Sequence, residues 1–166
     1  ECSGAFGRTC TCTAGYSGSS SCESCEAGRY NPDAGAVECV DCLAGKHSAL
    51  VGASNATVCT DCLAGKYYAA TGASACIDCA AGRYSSSVGA SASSSCIGCN
   101  TGKYLAETGS DDSSDCDDCV AGKYAPATGA AACIDCVAGK YSASVGASAS
   151  STCNDCIAGR YSASIG

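Results

Sequence analysis

Cysteine is the residue with chemistry to offer: 19 stand among 166 residues, and 16 of them fall in eight C-x-x-C pairs. The pairs are Cys22/Cys25, Cys39/Cys42, Cys59/Cys62, Cys76/Cys79, Cys96/Cys99, Cys116/Cys119, Cys133/Cys136 and Cys153/Cys156. Thiols at this spacing either oxidise to disulfides or, as thiolates, hold tetrahedral zinc. Consecutive pairs are offset by 17, 20, 17, 20, 20, 17 and 20 residues, so no two pairs are privileged as one zinc site. Cysteine near 11% of the chain points to disulfides and to an oxidising compartment.

Parity favours one connectivity. If the second Cys of each pair bonds the first of the next, the bridges are Cys25–Cys39, Cys42–Cys59, Cys62–Cys76, Cys79–Cys96, Cys99–Cys116, Cys119–Cys133 and Cys136–Cys153. Cys12–Cys22 extends this ladder and Cys2–Cys10 closes its start. Cys156 is left over, to pair beyond Gly166 or with another chain. Each of the seven rungs from Cys25–Cys39 to Cys136–Cys153 closes a loop of 15 or 18 residues, and such a loop is worth roughly 3 kcal/mol in the chain-entropy model. A crossed pattern over alternate pairs, Cys22–Cys39 with Cys25–Cys42, is the rival. Zinc is the second alternative.

Other side chains recur in register. A basic residue and a ring follow every pair: Arg29-Tyr30, Lys46-His47, Lys66-Tyr67, Arg83-Tyr84, Lys103-Tyr104, Lys123-Tyr124, Lys140-Tyr141 and Arg160-Tyr161. The rings are expected to stack on neighbouring disulfides, with His47 filling a Tyr slot as a packing substitute. Asp precedes the second Cys at Asp41, Asp61, Asp78, Asp118, Asp135 and Asp155, as a partner for the basic residue, which otherwise sits on a ring. Asn55-Ala56-Thr57 is an N-glycosylation sequon. Ser91, Ser93, Ser94, Ser95, Ser148, Ser150, Ser151 and Thr152 are candidate O-glycan acceptors or simply polar loop. Pro32 and Pro126 stand where a strand enters a turn. Asp111, Asp112, Asp115, Asp117 and Asp118 form either a solvated acidic loop or a weak Ca²⁺ site. No catalytic constellation, resident metal or cofactor is read: there is one His and no phosphate-binding or dinucleotide fingerprint.

The elements that position these groups must do without a large core. Val, Ile, Leu and Phe together number 18 of 166 residues, and Trp and Met are absent. A chain this poor in large apolar residues cannot offset its conformational entropy by burial alone. Net charge is −7, which disfavours nucleic acid, and no run is apolar enough to span a membrane. No leader pattern is visible, so Glu1 reads as a mature or cropped start.

Within each repeat one Gly follows the second Cys by three residues and another by ten. All length variation lies after the second Gly, where the next Cys comes four or seven residues later. The fixed part reads as scaffold and the variable part as a surface loop. The fold class expected is small and disulfide-rich: tandem irregular β-hairpin modules stacked into an elongated rod, with almost no helix. Residues 1–21 read as a degenerate EGF-like or capping module. The repeats run 22–38, 39–58, 59–75, 76–95, 96–115, 116–132, 133–152 and, in part, 153–166.

The phrase C-x-x-C-x-A-G-[KR]-Y-S-x-x-x-G-A, as in Cys133 to Ala147, resembles the ephrin-receptor-like cysteine-rich repeat. It is also similar to the first half of a tumour-necrosis-factor-receptor module. The resemblance covers 22–166 and implies stacked disulfide-bonded β modules outside the cell, as in large extracellular proteins of protists and algae. A mastigoneme-type fibre is one home it implies. Phrases such as "YSASVGASAS" recur almost verbatim and lack the Trp and Arg anchors of binding hot spots. The expected function is therefore an extracellular structural protein: a stiff, glycosylated rod that self-associates, or joins related repeat proteins, in a fibre or coat. The alternative is a receptor or adhesion ectodomain binding a protein ligand through its loops.

Overall fold

The computed structural model describes residues 11–158 and Arg160. The Cys2–Cys10 bridge, Tyr161 and most of the expected capping module's cysteine-rich start lie outside the described residues. The chain divides into two compact units, Glu1–Ile77 with Ser87–Ser95, and Asp78–Ser86 with Cys96–Gly166.

Sixteen two-residue strands form eight two-stranded sheets among the described residues. Each sheet after the first, which is built on Tyr16–Ser17, joins the basic–aromatic dipeptide of one repeat to the dipeptide before the second Cys of the next. In the first unit Tyr16–Ser17 pairs with Glu23–Ser24, Arg29–Tyr30 with Val40–Asp41, and Lys46–His47 with Thr60–Asp61, all antiparallel. In the second unit Arg83–Tyr84 pairs with Ile97–Gly98, Lys103–Tyr104 with Asp117–Asp118, Lys123–Tyr124 with Ile134–Asp135, and Lys140–Tyr141 with Asn154–Asp155. Tyr, Val and Ile favour the pleated backbone. An isolated hairpin this short is marginal in water, so something else must hold it closed.

Disulfides do so. Among the described residues eight bridges run Cys12–Cys22, Cys25–Cys39, Cys42–Cys59, Cys62–Cys76, Cys79–Cys96, Cys99–Cys116, Cys119–Cys133 and Cys136–Cys153. Their Cα–Cα separations of 5.4 to 5.8 Å lie in the ordinary range. The crossed pairing of alternate pairs does not occur. The second cysteines Cys12, Cys25, Cys42, Cys62, Cys79, Cys99, Cys119 and Cys136 are each no more than 1% exposed, so sulfur occupies the interior that large aliphatic side chains would otherwise fill. Small residues complete it: Ala53, Ala73, Ala90 and Ala147 after the turn glycines, and Asn31, Ser48, Ser85 and Ser142 after the aromatic slot. Asn31 is satisfied there, donating from Nδ2 to the Tyr16 carbonyl at 2.6 Å.

Successive repeats are tied by the backbone. In the first unit the Gly28 N–H donates to Ser48 O (2.7 Å), Asn31 N–H to Ala53 O (2.9 Å), Cys42 N–H to Gly28 O (2.8 Å) and Gly52 N–H to Cys25 O (2.7 Å). The second unit repeats the set with Gly102 to Ala125, Leu105 to Ala130, Cys119 to Gly102 and Gly129 to Cys99. The second Cys, both glycines and the residue after the aromatic slot thus each carry a backbone hydrogen bond to another repeat, which an insertion between them would break.

Two glycine roles follow. At Gly28, φ is +88°, and an added Cβ would overlap the Gly72 carbonyl two repeats ahead. Gly102 stands in the same relation to Gly146. Only a residue without Cβ allows this approach.

The three-residue insertion is not an irregular loop. In all four of the 20-residue repeats the structure holds a 3₁₀ turn: Ala56–Val58, Ser93–Ser95, Ser113–Asp115 and Ser150–Thr152. The described 17-residue repeats have none. A 3₁₀ helix has 3.0 residues per turn, so adding three residues adds one turn and returns the chain on the same heading.

Candidate functional site

The recurring surface is built from three parts of each hairpin: the aromatic slot, the charge pair beside it and the 3₁₀ turn. The basic residue and the Asp face each other directly across the ladder, so they pair as cross-strand neighbours. Arg29 Nε meets Asp41 at 2.6 Å, Lys46 Nζ meets Asp61 at 2.6 Å, Lys103 meets Asp118 at 2.9 Å and Lys140 meets Asp155 at 2.7 Å. Lys123 pairs with Asp135 in the same way. These pairs are solvent-exposed, so each contributes little stability. Arg83 faces Gly98 and instead donates from Nη1 to the Cys96 carbonyl at 2.9 Å.

The slot residue lies against the disulfide of the next hairpin. Tyr84 packs on buried Cys99, Cys116 and Leu105. His47 brings Nδ1 to 3.3 Å from Cys76 Sγ of the Cys62–Cys76 bridge. Ser17 holds the equivalent place in the degenerate first repeat, its Oγ 3.2 Å from Cys39 Sγ of the Cys25–Cys39 bridge. Tyr30, Tyr67, Tyr104 and Tyr124 are half-buried, whereas Tyr141 is 51% exposed.

Two open grooves of about 440 Å³ each occur at equivalent places. One is lined by Tyr30, Val40, Leu43, Lys46 and Thr57, the other by Tyr124, Val137, Lys140, Ser150 and Ser151. Each runs between an aromatic slot and a 3₁₀ turn, so the sequon's Thr57 and the serine cluster face matching grooves.

Asn55 is exposed and caps the Ala56–Val58 turn, its Oδ1 accepting from Thr57 N–H at 2.9 Å. Ser91, Ser93, Ser94, Ser148, Ser150 and Ser151 are exposed, while Ser95 and Thr152 are half-buried. Thr152 donates its hydroxyl proton to Ala149 O at 2.7 Å. Pro32 and Pro126 are exposed just after strands.

The acidic run has local work. Asp112 and Asp115 form a capping box around the Ser113–Asp115 turn, with Asp112 Oδ1 accepting from Ser114 N–H at 2.7 Å. That backbone hydrogen bond holds the Asp112 carboxyl below the usual carboxylate range. Asp118 pairs with Lys103, and Asp117 lies opposite Tyr104 in the ladder. The D-x-x-D spacing was the available signal for the cap. Cys156 is half-buried and has no disulfide partner among the described residues, and its N–H donates to Gly139 O at 2.9 Å.

Aliphatic side chains also recur on the outside. The residue after the second Cys is more than half exposed at Leu43, Leu63, Val120, Val137 and Ile157. Among the described residues no helix is long and apolar enough to cross a membrane.

No curated protein matches the sequence. The sequence model of the family described as tyrosine-protein kinase ephrin type A/B receptor-like matches residues 12–59, 54–96 and 65–116, overlapping segments that each carry the cysteine frame. With the matched stretch spanning most of the chain, and with hairpins, rungs and glycine turns repeating through it, the chain belongs to the ephrin-receptor-like cysteine-rich repeat family.

Proposed function

We propose that the chain is an extracellular structural protein whose repeats form a stiff, disulfide-laddered, glycosylated rod that self-associates into a fibre or surface coat. The observation that carries this reading is the sameness of the outward surface. Five of the eight repeats present an exposed aliphatic residue after the second Cys, Leu43, Leu63, Val120, Val137 and Ile157, with Glu26, Ala80 and Asn100 in the others, and the first four aliphatic residues stand beside the same charge pair. A receptor surface differs from module to module to fit a ligand. A surface repeated nearly unchanged matches best a partner with the same period, and contacts that do not close on themselves give open assemblies. Eight disulfides and membership of an ectodomain repeat type support an extracellular location. Exposed Asn55 and the serine-bearing turns are the proposed glycan sites, and the Asp111–Asp118 run is at most a weak Ca²⁺ site. Cys156 is proposed to bridge to a cysteine beyond the described residues, in this chain or in a neighbour.

The receptor or adhesion reading is favoured by a different observation, the two matching grooves beside Tyr30 and Tyr124. Negative-stain imaging and sedimentation of the glycosylated native protein separate the two. The structural reading expects filaments or sheets with an axial repeat set by the modules. Monodisperse particles that stay unassembled at high concentration overturn it.

A further inference from the structure

Among the described residues, His47 is the one slot side chain that puts a nitrogen ligand over a disulfide. In seven of the eight frames the slot holds Tyr. The frame carries the slot side chain onto the next rung, as Tyr84 lies on Cys99 and Cys116. With His in the slot, the same placement sets an imidazole nitrogen 3.3 Å from Cys76 Sγ. His47 nitrogen, Cys62 Sγ and Cys76 Sγ all lie within 4.8 Å of one another. Cys62 is fully buried, while His47 and Cys76 are half-buried and reachable from solvent.

We propose that reduction of the Cys62–Cys76 disulfide converts this rung into a soft-metal site of two thiolates and one imidazole, taking Zn²⁺ or a cation of similar preference. The geometry needs little change. Tetrahedral zinc with Zn–S near 2.3 Å and Zn–N near 2.0 Å sets N···S at about 3.5 Å and S···S at about 3.8 Å. The nitrogen is already at that range, and breaking the sulfur–sulfur bond frees the two sulfurs to part. The cysteine Cα atoms, 5.7 Å apart, already bring both side chains to one point.

The chemistry balances with an external dithiol as reductant. One of its thiolates attacks a rung sulfur, and the other rung sulfur leaves as thiolate. The second reductant thiol then resolves the mixed disulfide. The rung gains two electrons and the dithiol becomes a disulfide. Zinc binding displaces the protons on the rung thiols, and the fourth position holds water. Cys59 offers no competing thiol while it stays in the Cys42–Cys59 bridge. At the equivalent rung Cys25–Cys39 the slot side chain is the Ser17 hydroxyl, a much poorer ligand for a thiophilic cation.

The test uses the full chain under anaerobic conditions. A phosphine reductant is added in steps and removed, and Co²⁺ or Zn²⁺ follows. Thiolate-to-cobalt absorption reports binding, and alkylation with peptide mapping reports which thiols the metal shields. The expected result is that Cys62 and Cys76 open while most rungs are still closed, bind one cation and are shielded together. His47→Tyr restores the residue of the other frames and should weaken binding by at least about tenfold, below what loss of even an outer partner of a ligand can cost. Tyr84→His should create a second such site on Cys99–Cys116. Equal binding and shielding in His47→Tyr and the native chain overturns the proposal. So does opening of Cys62–Cys76 only after Cys25–Cys39 and Cys119–Cys133, or a Tyr84→His chain that gains no site.

Discussion

Excising Ser150–Thr152 should leave the fold standing, whereas excising Ser151 alone should not. The triple deletion turns Gly146-Ala147-Ser148-Ala149-Ser150-Ser151-Thr152-Cys153 into G-A-S-A-C, the phrase already found from Gly72 to Cys76. It shortens the loop closed by Cys136–Cys153 from 18 to 15 residues. The closure term, (3/2)RT ln(18/15), changes by only about 0.2 kcal/mol, in favour of the shorter loop. What is lost is one exposed 3₁₀ turn: the bonds Thr152 N–H to Ala149 O and Cys153 N–H to Ser150 O, both 3.1 Å. Exposed bonds of this kind contribute about 1 kcal/mol each. Ordering three backbone residues costs a comparable or larger amount that the deletion removes. The net effect should be within about 1 kcal/mol. Removing Ser151 alone leaves two inserted residues, which close no 3₁₀ turn. Either the Cys136–Cys153 bridge goes unmade, at a cost of roughly 3 kcal/mol, or Ala147 is pulled from the bond it accepts from Ala125 N–H. Non-reducing peptide mapping reads the bridge, and hydrogen exchange at the Ala125 and Gly146 amides reads the local opening free energy. If the triple deletion loses as much protection as the single one, the insertion is not a modular turn and the reasoning fails.

Gly102→Ala forces a Cβ into the Gly146 carbonyl at φ +80°, whereas Gly139→Ala at φ +83° meets nothing within 4 Å among the described residues. Urea unfolding should show about 1–2 kcal/mol lost at Gly139, the left-handed cost alone, and clearly more at Gly102. Equal losses would mean the close approach is not real. Asp112, its carboxyl held low in the folded chain by Ser114 N–H, should add stability that is full above the unfolded carboxylate pKa. That stability disappears as pH falls through the lower folded value, so a carboxyl-carbon titration should place the Asp112 midpoint below the ordinary aspartate range. Asn55→Gln should abolish an enzyme-removable mass increment on the peptide that holds Asn55, when the chain is made by a secretory host. An unchanged mass would remove Asn55 from the glycan sites.

The hairpin ladder was legible because it depends on spacing, and spacing survives in one sequence. Cys25 to Cys39 and Cys42 to Cys59 bracket a turn glycine at the same offset, and a rung at that offset closes a hairpin whatever the intervening residues are. The basic residue was legible only as one of two alternatives, an Asp partner or a ring. Cross-strand register decides for the carboxylate, because Arg29 falls directly opposite Asp41. Harder to read was anything requiring two distant backbones to meet. Nothing in the phrase "AGRY" says that Gly28 must admit the Gly72 carbonyl, since no side chain is involved on either part. The insertion misled for a related reason: "ASASST" has no apolar period and weak helical propensity, so it looked like slack chain. Its length, not its composition, held the answer, for three residues fit one 3₁₀ turn where two or four would turn the chain off its rung. His47 shows the same logic inverted. The frame decides where the slot side chain goes, against the disulfide of the next hairpin, so the identity of one residue is enough to change what that rung can bind.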